Sequence, residues 1–429
     1  MLFFYYGIFT MKYYRNLKRA DFLAYSLIKE EEKRQNFSLN LIASENYPSK
    51  AVLEALGSIF NDKYAEGYPN NRYYAGNKIV DKVENLAQKR ALKLFIPTKI
   101  RKKFKVNVQP YSGSPANLAV YSALLEKNDK VLAMNLKSGG HLTHGAKINF
   151  TGKFWRFYHY SVSRKTELLD YDEILSIAKK VKPKLIVCGA TSYPRIIDFK
   201  KFKIIAQKVG ALLLADISHI AGLIVGKAHP SPFLDFNNSV DIVTSTTHKT
   251  LRGPRSAIII SKNKFIEKID KAIFPGLQGG PHINEILAKA VCFKEASKKE
   301  FKEYARKIVM NSKVLAEELL SQGIRLVSGG TDNHLILIDL RPLKIKGLFA
   351  QKLLEKANII VNRNSIPFDR EPLFDPSGLR IGTAPLTTRG MAENEMRKIA
   401  KILVKILKTK KISFQIKKEV ERLCKEYPL

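Results

Sequence analysis

Along the middle of the chain, short apolar runs of strand length alternate with stretches in which apolar residues recur every three to four positions. That alternation predicts an α/β fold with a mostly parallel sheet covered by helices. The strand candidates are Val106–Gln109, Lys130–Met134, Lys184–Val187, Ala211–Leu214, Ile242–Thr244 and Ala257–Ile260, most of them nearly continuous in apolar character, as strands buried on both faces require. Helical periodicity falls on Ala116–Leu125, Tyr171–Lys180 and Phe199–Lys208. A Gly/Pro-rich run, FPGLQGGP at Phe274–Pro281, precedes one long charged helix expected from Asn284 to Leu320, inside which a larger domain gives way to a smaller one. Beyond it lie a strand at Leu335–Leu340, a loop from Asn362 to Pro376 and a helix over Glu393–Lys408. The resulting division is an N-terminal arm (1–40), a large domain (41–295) and a small C-terminal α/β domain (296–429).

Composition narrows the class. Over 429 residues, 45% hydrophobic and 26% charged content excludes a disordered chain. Seventy-four Lys and Arg against 39 Asp and Glu leave a net charge of +35, which attracts polyanions without selecting one. The lysines are spread through the sequence, as at Lys262–Lys271 and Lys298–Lys307. Those at Lys398, Lys401, Lys405 and Lys408 oppose Ile399, Ile402, Leu403 and Ile406 and read as a solvated helix face. No RNA-binding module accompanies them, so no specific nucleic-acid partner is expected. Cys188, Cys292 and Cys424 are far apart with no C-x-x-C, which argues against a disulfide framework or a zinc site and points to a reducing, cytoplasmic setting with no metal. The apolar Leu2–Phe9 has neither a preceding basic residue nor a cleavage site, and Met11 is a candidate initiator. No run reaches the roughly 18 apolar residues of a membrane span, so no membrane partner is expected.

Four polar clusters fall where strands end, the place at which open α/β sheets bind ligands. Ser112-Gly113-Ser114, with Asn117, stands between a strand and a helix, as a phosphate cradle or as ordinary capping. Asp216, with His219, ends the run ALLLAD, where a carboxylate needs a cationic partner such as a protonated pyridine nitrogen; a helix N-cap is the alternative. Lys249 in TTHKT is either a solvated lysine or an amine of lowered pKa suited to an aldehyde. Gly139-Gly140-His141 offers either a ring-stacking imidazole or a hydrogen-bonded loop histidine. Together, in this order, they are the parts of a pyridoxal phosphate site.

Long stretches carry a resemblance: LIASEN at Leu41–Asn46, NDKYAEGYPNNRYYAGN at Asn61–Asn77, VQPYSGSPAN at Val108–Asn117, SGGHLTHG at Ser138–Gly145, TTHKTLRGPR at Thr246–Arg255, SGGTDNHL at Ser328–Leu335 and SGLRIGTAPLTTRG at Ser377–Gly390. Together with FPGLQGGP they resemble the serine hydroxymethyltransferase family over essentially the whole chain from Arg19. The resemblance implies the fold type I architecture of pyridoxal-phosphate transferases, a homodimer with shared active sites, and tetrahydrofolate as co-substrate. By the same resemblance Lys249 is the Schiff-base lysine, His248 its neighbour linked to reaction specificity, Asp216 the partner of the pyridinium nitrogen and His219 that of the phenolic oxygen. His141 stacks on the ring, Thr191 lies near its oxygen, and Ser112, Gly113 and Ser114 hold the phosphate with Tyr64 and Gly280 from a second copy. Arg380 and Ser44 bind the amino-acid substrate, and Glu66, with Tyr74 close by, carries proton transfer. The folate pocket is implied at Leu136, Gly140, His141, Leu142 and Asn364, with Pro372, Leu373 and Phe374 nearby.

The implied reaction moves the serine hydroxymethyl carbon to tetrahydrofolate and leaves glycine. Three positions depart from the family pattern: Ala75 and Ser256 stand in place of glycines, and Thr191 in place of a serine. A threonine-aldolase-like activity is the alternative within enzymes, against which Glu66 and Asn364 argue. An RNA-binding role and an inactive paralogue are the alternatives outside it, the second disfavoured by the joint presence of Lys249, Asp216, His141 and Arg380.

Overall fold

The computed structural model describes residues 14–235 and 237–429, so the 2–9 apolar stretch and the candidate start at Met11 lie outside the described residues. A seven-stranded sheet organises the first two thirds of the chain. Its strands are β1 (Phe104–Asn107), β2 (Lys130–Met134), β3 (Arg156–Tyr160), β4 (Leu185–Cys188), β5 (Leu212–Asp216), β6 (Ile242–Thr246) and β7 (Ala257–Lys262). They lie in the order β1-β7-β6-β5-β4-β2-β3. The ladders from β3 through β2, β4 and β5 to β6 are parallel, and β7 runs antiparallel to both β6 and β1.

Because side chains alternate along a strand, each strand feeds two cores. In β5, Leu213 and Ala215 join one core and Leu214 the other. The helices that matter below are α1 (Phe22–Asn36), α2 (Lys78–Phe95), α3 (Gly113–Leu124), α4 (Tyr171–Val181), α5 (Phe199–Lys208), α6 (Ile283–Ala296), α7 (Lys299–Ser321), α8 (Glu393–Thr409) and α9 (Phe414–Glu426). Helix α3 covers one face of the sheet through Ala116, Ala119, Val120 and Tyr121. The other face is covered by α2, α4, α5 and α6, with Val83, Ala87, Ile174, Phe202 and Phe293 in its core. Side-chain caps by Asp170 and Asp198 fix where α4 and α5 begin.

The expected single helix over Asn284–Leu320 is two helices. It breaks at Ser297-Lys298, where Lys298 is extended (φ −78°, ψ 160°) and starts α7 afresh. The break lets α6 lie against the sheet while α7 crosses to another core. Phe301, Ala305 and Ile308 pack with the sheet, whereas Val314, Leu315 and Leu319 pack in a second core with α8 and α9. In that second core β8 (Leu335–Asp339), β9 (Asn362–Asn364) and β10 (Gly378–Gly382) form an antiparallel sheet ordered β8-β10-β9. Thus the segment expected as a loop from Asn362 begins with a strand whose polar sequence hides it. The basic face of α8 is turned out, with Ile399, Ile402, Leu403 and Ile406 buried beneath it.

Two strands also differ from expectation. The first forms at 104–107 instead of 106–109, because Gln109 leaves the ladder to take the Asn107 Oδ1 with its N–H at 2.8 Å and to donate its side chain to Gly67 O and Glu84. Strand β3, RFYHY, is an edge strand with three of its five residues exposed, so no apolar run announces it. The N-terminal arm belongs spatially with the second core. Leu39–Asn40 pairs in parallel with Ile359–Ile360, and the buried Arg389 donates to Ser38 O (2.7 Å), Cys424 O (3.0 Å) and Tyr427 O (2.6 Å), joining the end of α1 to α9.

Below the strand ends opposite the site, Asp241 accepts from Lys203 (2.8 Å), Lys262 (2.9 Å) and the Leu213 N–H (3.1 Å), all with little solvent. Asp241→Ala strips both ammonium groups of this buried carboxylate and is expected to cost about 3–5 kcal/mol. Denaturant unfolding checks this; a loss under 1 kcal/mol contradicts it.

Candidate active site

The ends of β4, β5 and β6 and the loop after β2 converge on one pocket. It is lined by Gly113, His141, Thr191, Asp216, His219 and Lys249, all singled out from sequence, and by His144, Ala190, Ser218 and Thr246. Asp216, the last residue of β5, anchors it. Its Oδ2 accepts from Asn117 Nδ2 at 2.9 Å and lies 3.3 Å from His144 Nε2, and its Oδ1 accepts from the Ser218 N–H (3.1 Å) and hydroxyl (2.6 Å). Burial pushes its pKa up, but the hydrogen bonds from His144 and Ser218 and the adjacent imidazoles outweigh this and hold the carboxyl well below the usual carboxylate range.

Imidazoles surround the carboxylate. The His141 N–H donates to His144 Nδ1 (3.1 Å), which leaves the ring proton of His144 on Nε2, facing Asp216. A second chain runs from Asn117 Nδ2 to the Thr143 hydroxyl (2.9 Å) and on to His141 Nδ1 (2.7 Å). It turns the His141 ring so that its bare nitrogen is satisfied. Burial, then His144 and Lys249, push the His141 pKa down to about 4 against the opposing pull of Asp216. His248 is lowered to about 3 by burial, Lys249 and Arg255, and its Nδ1 has no hydrogen-bond partner among the described residues.

Cations complete the pocket. Lys249 follows β6, and its backbone carbonyl is gripped by Asn46 Nδ2 (2.9 Å) and the Arg252 N–H (3.1 Å). Burial lowers its pKa to about 8, with Asp216 opposing and Arg380 and Arg255 assisting. Arg380, on β10, donates to Thr191 O (2.7 Å), Asn362 Oδ1 (3.2 Å) and Ser44 Oγ (3.4 Å). No acidic side chain among the described residues pairs with this guanidinium, and its burial lowers its pKa to about 10. Arg380 does not itself line the pocket but holds the carbonyl of Thr191, which does, and a desolvated guanidinium with no countercharge there is costly unless an anion approaches it.

The first turn of α3 opens beside this pocket, which Gly113 lines. Ser112 is extended (φ −159°, ψ 178°) and makes no side-chain cap, which leaves the N–H groups at Gly113 and Ser114 to a ligand. Gly113 is needed here: a Cβ on it would stand 2.7 Å from Thr246 Cγ2. Gly140 is needed likewise, since a Cβ there would stand 2.2 Å from Met134 O. The Thr191 hydroxyl, present where the family pattern has serine, donates to Gly139 O (3.1 Å) and Gly140 O (3.2 Å), tying the histidine loop to β4.

Tyr64, Glu66, Tyr74 and Gly280 gather elsewhere. The Tyr64 and Tyr74 rings are 5.0 Å apart, and Cβ atoms on Gly279 and Gly280 would stand 3.2 Å from Glu66 Oε1 and from the Tyr64 ring. None of the four lines the Lys249 pocket. The segments expected to share folate are joined where Lys137, beside Leu136, donates to Asp369 O (2.6 Å). Leu142, Leu373 and Phe374 are exposed, Pro372 lies in the same turn, and Asn364 ends β9. Ser256 is accommodated: its hydroxyl donates to Pro110 O (3.1 Å) and accepts from the buried Lys289 (2.8 Å).

Sequence reading missed His144 and Ser218. His144 follows His141 by three residues in the same motif, which was its only linear signal.

The model of the family described as serine hydroxymethyltransferase matches residues 17–403. The pocket itself gives a pH expectation. A lysine whose pKa lies near 8 is neutral above that pH, so amine modification of Lys249, mapped by mass spectrometry, should reach half its maximal rate near pH 8, against about 10.4 for solvated lysines. Asp216→Asn removes the charge that raises this pKa and should move the midpoint lower; an unmoved midpoint, or one above 10, contradicts the coupling.

Proposed function

Since the chain belongs to the serine hydroxymethyltransferase family, we propose how its own residues divide that family's reaction. The protein is an enzyme that interconverts serine and glycine, with tetrahydrofolate as co-substrate and pyridoxal phosphate as cofactor. Pyridoxal phosphate, when bound, supplies an electron-withdrawing ring that accepts the electrons freed at the substrate α-carbon. The pocket fits it: an amine for the aldehyde, an ionised carboxylate for the ring nitrogen, a neutral imidazole for the ring face and open helix N–H groups for the phosphate.

In this reading the Lys249 amine would hold the aldehyde carbon, its oxygen leaving as water, and Asp216 would hold the proton on the ring nitrogen. His141 covers the ring face, Thr191 and His219 attend its oxygen, and Ser112, Gly113 and Ser114 bind phosphate. His248, neutral beside Lys249, shapes the specificity of the step. Arg380 takes the substrate carboxylate in a two-pronged bond, with Ser44 beside it. The observation that carries this is the uncompensated guanidinium: of the groups around the pocket it is the one whose electrostatic requirement only an anionic substrate meets. The folate pocket is assigned to Leu136, Gly140, His141, Leu142 and Asn364, beside Pro372, Leu373 and Phe374.

Glu66, with Tyr74, moves the proton of the serine hydroxyl. Because Glu66, Tyr64, Tyr74 and Gly280 cluster away from the Lys249 pocket, we assign them to the pocket of a second copy, making a homodimer with shared sites. The domains are taken as 1–40, 41–295 and 296–429. All three cysteines are unpaired and buried, which supports a cytoplasmic setting, and no helix among the described residues is long and apolar enough to cross a membrane.

Arg380→Lys keeps the charge and loses the fork; it should raise KM for serine about a hundredfold while leaving the absorption of bound cofactor in place. Equal KM values would remove Arg380 from the substrate. The shared site is tested by mixing inactive Lys249→Ala and Glu66→Gln proteins after dissociation and reassociation. One intact site per mixed dimer should restore activity, whereas none returns if Lys249 and Glu66 serve the same pocket within one chain.

A further inference from the structure

Asn46 uses every hydrogen-bonding position of its side chain. Its Nδ2 donates to the Lys249 carbonyl (2.9 Å) and to the Tyr304 hydroxyl (2.8 Å), and its Oδ1 accepts from the Tyr47 N–H (2.9 Å) and the Thr388 hydroxyl (2.7 Å). A backbone N–H on one side and a carbonyl on the other leave no freedom to exchange the amide oxygen and nitrogen. The remaining contact, 2.9 Å between the Tyr304 and Thr388 hydroxyls, therefore has one direction. Thr388 has a single proton and gives it to Asn46 Oδ1, so Tyr304 donates to Thr388. Asn46, Tyr304 and Thr388 close a ring in which each side chain donates to one of the others and accepts from the third.

The ring joins three parts of the fold. Tyr304 lies on α7, and Thr388 ends the short helix Ala384–Thr388 that follows β10, the strand of Arg380. The segment leading to Asn46 lies along that strand: Leu41 O accepts from the Gly382 N–H (2.7 Å), and Ser44 Oγ takes the Arg380 guanidinium (3.4 Å). Two residues apart, Ser44 and Asn46 thus hold Arg380 and the Lys249 carbonyl. Arg252 braces the same carbonyl with its N–H (3.1 Å) while its Nε donates to Tyr47 O (3.1 Å). We infer that Asn46 is a positioning residue that sets the spacing between Lys249 and Arg380, selecting substrates whose amine and carboxylate are carried on one carbon. This rests on the assignment of those two residues to the two ends of the substrate.

The test compares glycine with β-alanine, in which one more carbon–carbon bond, about 1.5 Å, separates amine from carboxylate. Dissociation constants are read from the absorption of the cofactor in the full-length, loaded protein, so that a general weakening of the fold cancels in their ratio. The wild type should prefer glycine, and Asn46→Ala should lower that preference about tenfold. Tyr304→Phe opens the ring without touching the bond to Lys249 and should lower it about threefold. The double variant should fall no further than Asn46→Ala alone, because Tyr304 acts through Asn46. An undiminished preference in Asn46→Ala overturns the proposal, as does a wild type that binds both amino acids equally. Losses that multiply in the double variant show that the ring is not one device and overturn it as well. Equal binding of glycine and methylamine by the wild type instead overturns the assignment of Arg380 to the substrate carboxylate.

Discussion

An ionised carboxylate at the end of a buried parallel strand is the constraint around which this molecule is arranged. Asp216 is carried into the sheet by the apolar run of β5, where a free carboxylate would be costly. Four donors from three segments keep it charged: Asn117 on α3, His144 in the loop after β2, and the hydroxyl and N–H of Ser218. Each of those donors is fixed in turn by something further out. His144 is oriented by the His141 N–H, and Asn117 accepts from Thr244 in β6 at 2.6 Å while donating to Thr143.

Around that anion the pocket is otherwise cationic or neutral. Lys249 and Arg380 bring positive charge, and His141 and His219 are held neutral by burial beside them. The balance is completed by what enters: a phosphate, a ring oxygen and a substrate carboxylate. Such an arrangement is preorganised for anions because no acidic side chain among the described residues pairs with the Arg380 guanidinium.

Arg380 reaches the pocket from the second core, so the placement of that core against the sheet is part of the chemistry. Arg195 clasps Ser328 and Asp332 (3.1 Å to Asp332), and Glu167 accepts from Arg325 (2.7 Å) and the Ser328 N–H (2.7 Å). Asn333 donates to Tyr193 O (3.1 Å), two residues beyond Thr191, whose own carbonyl Arg380 holds. Helix α7 spans both cores as a continuous strut. The break before it, at Ser297-Lys298, is what allows one segment to serve the sheet and the next to leave it.

Much of this was legible in the linear chain. Continuous apolar runs determined β2, β4, β5, β6 and β7 because burial on both faces leaves no room for polar alternation. The strand-end position of Asp216 and Lys249, and the Ser-Gly-Ser turn before a helix, marked the pocket because parallel sheets present ligands there. Where periodicity was weak the sequence was mute: β3 and β9 are held by ladder hydrogen bonds more than by burial, and the helix break carries no proline or glycine. His144 could be assigned only in three dimensions, since its role comes from a contact across 72 positions with Asp216, and side-chain chemistry alone does not distinguish a structural histidine from one that holds a carboxylate. The sequence determined which chemical groups are present and which strand ends carry them. Tertiary structure decided their protonation, because burial and hydrogen-bond geometry set that, and it alone separated the Glu66 cluster from the pocket around Lys249.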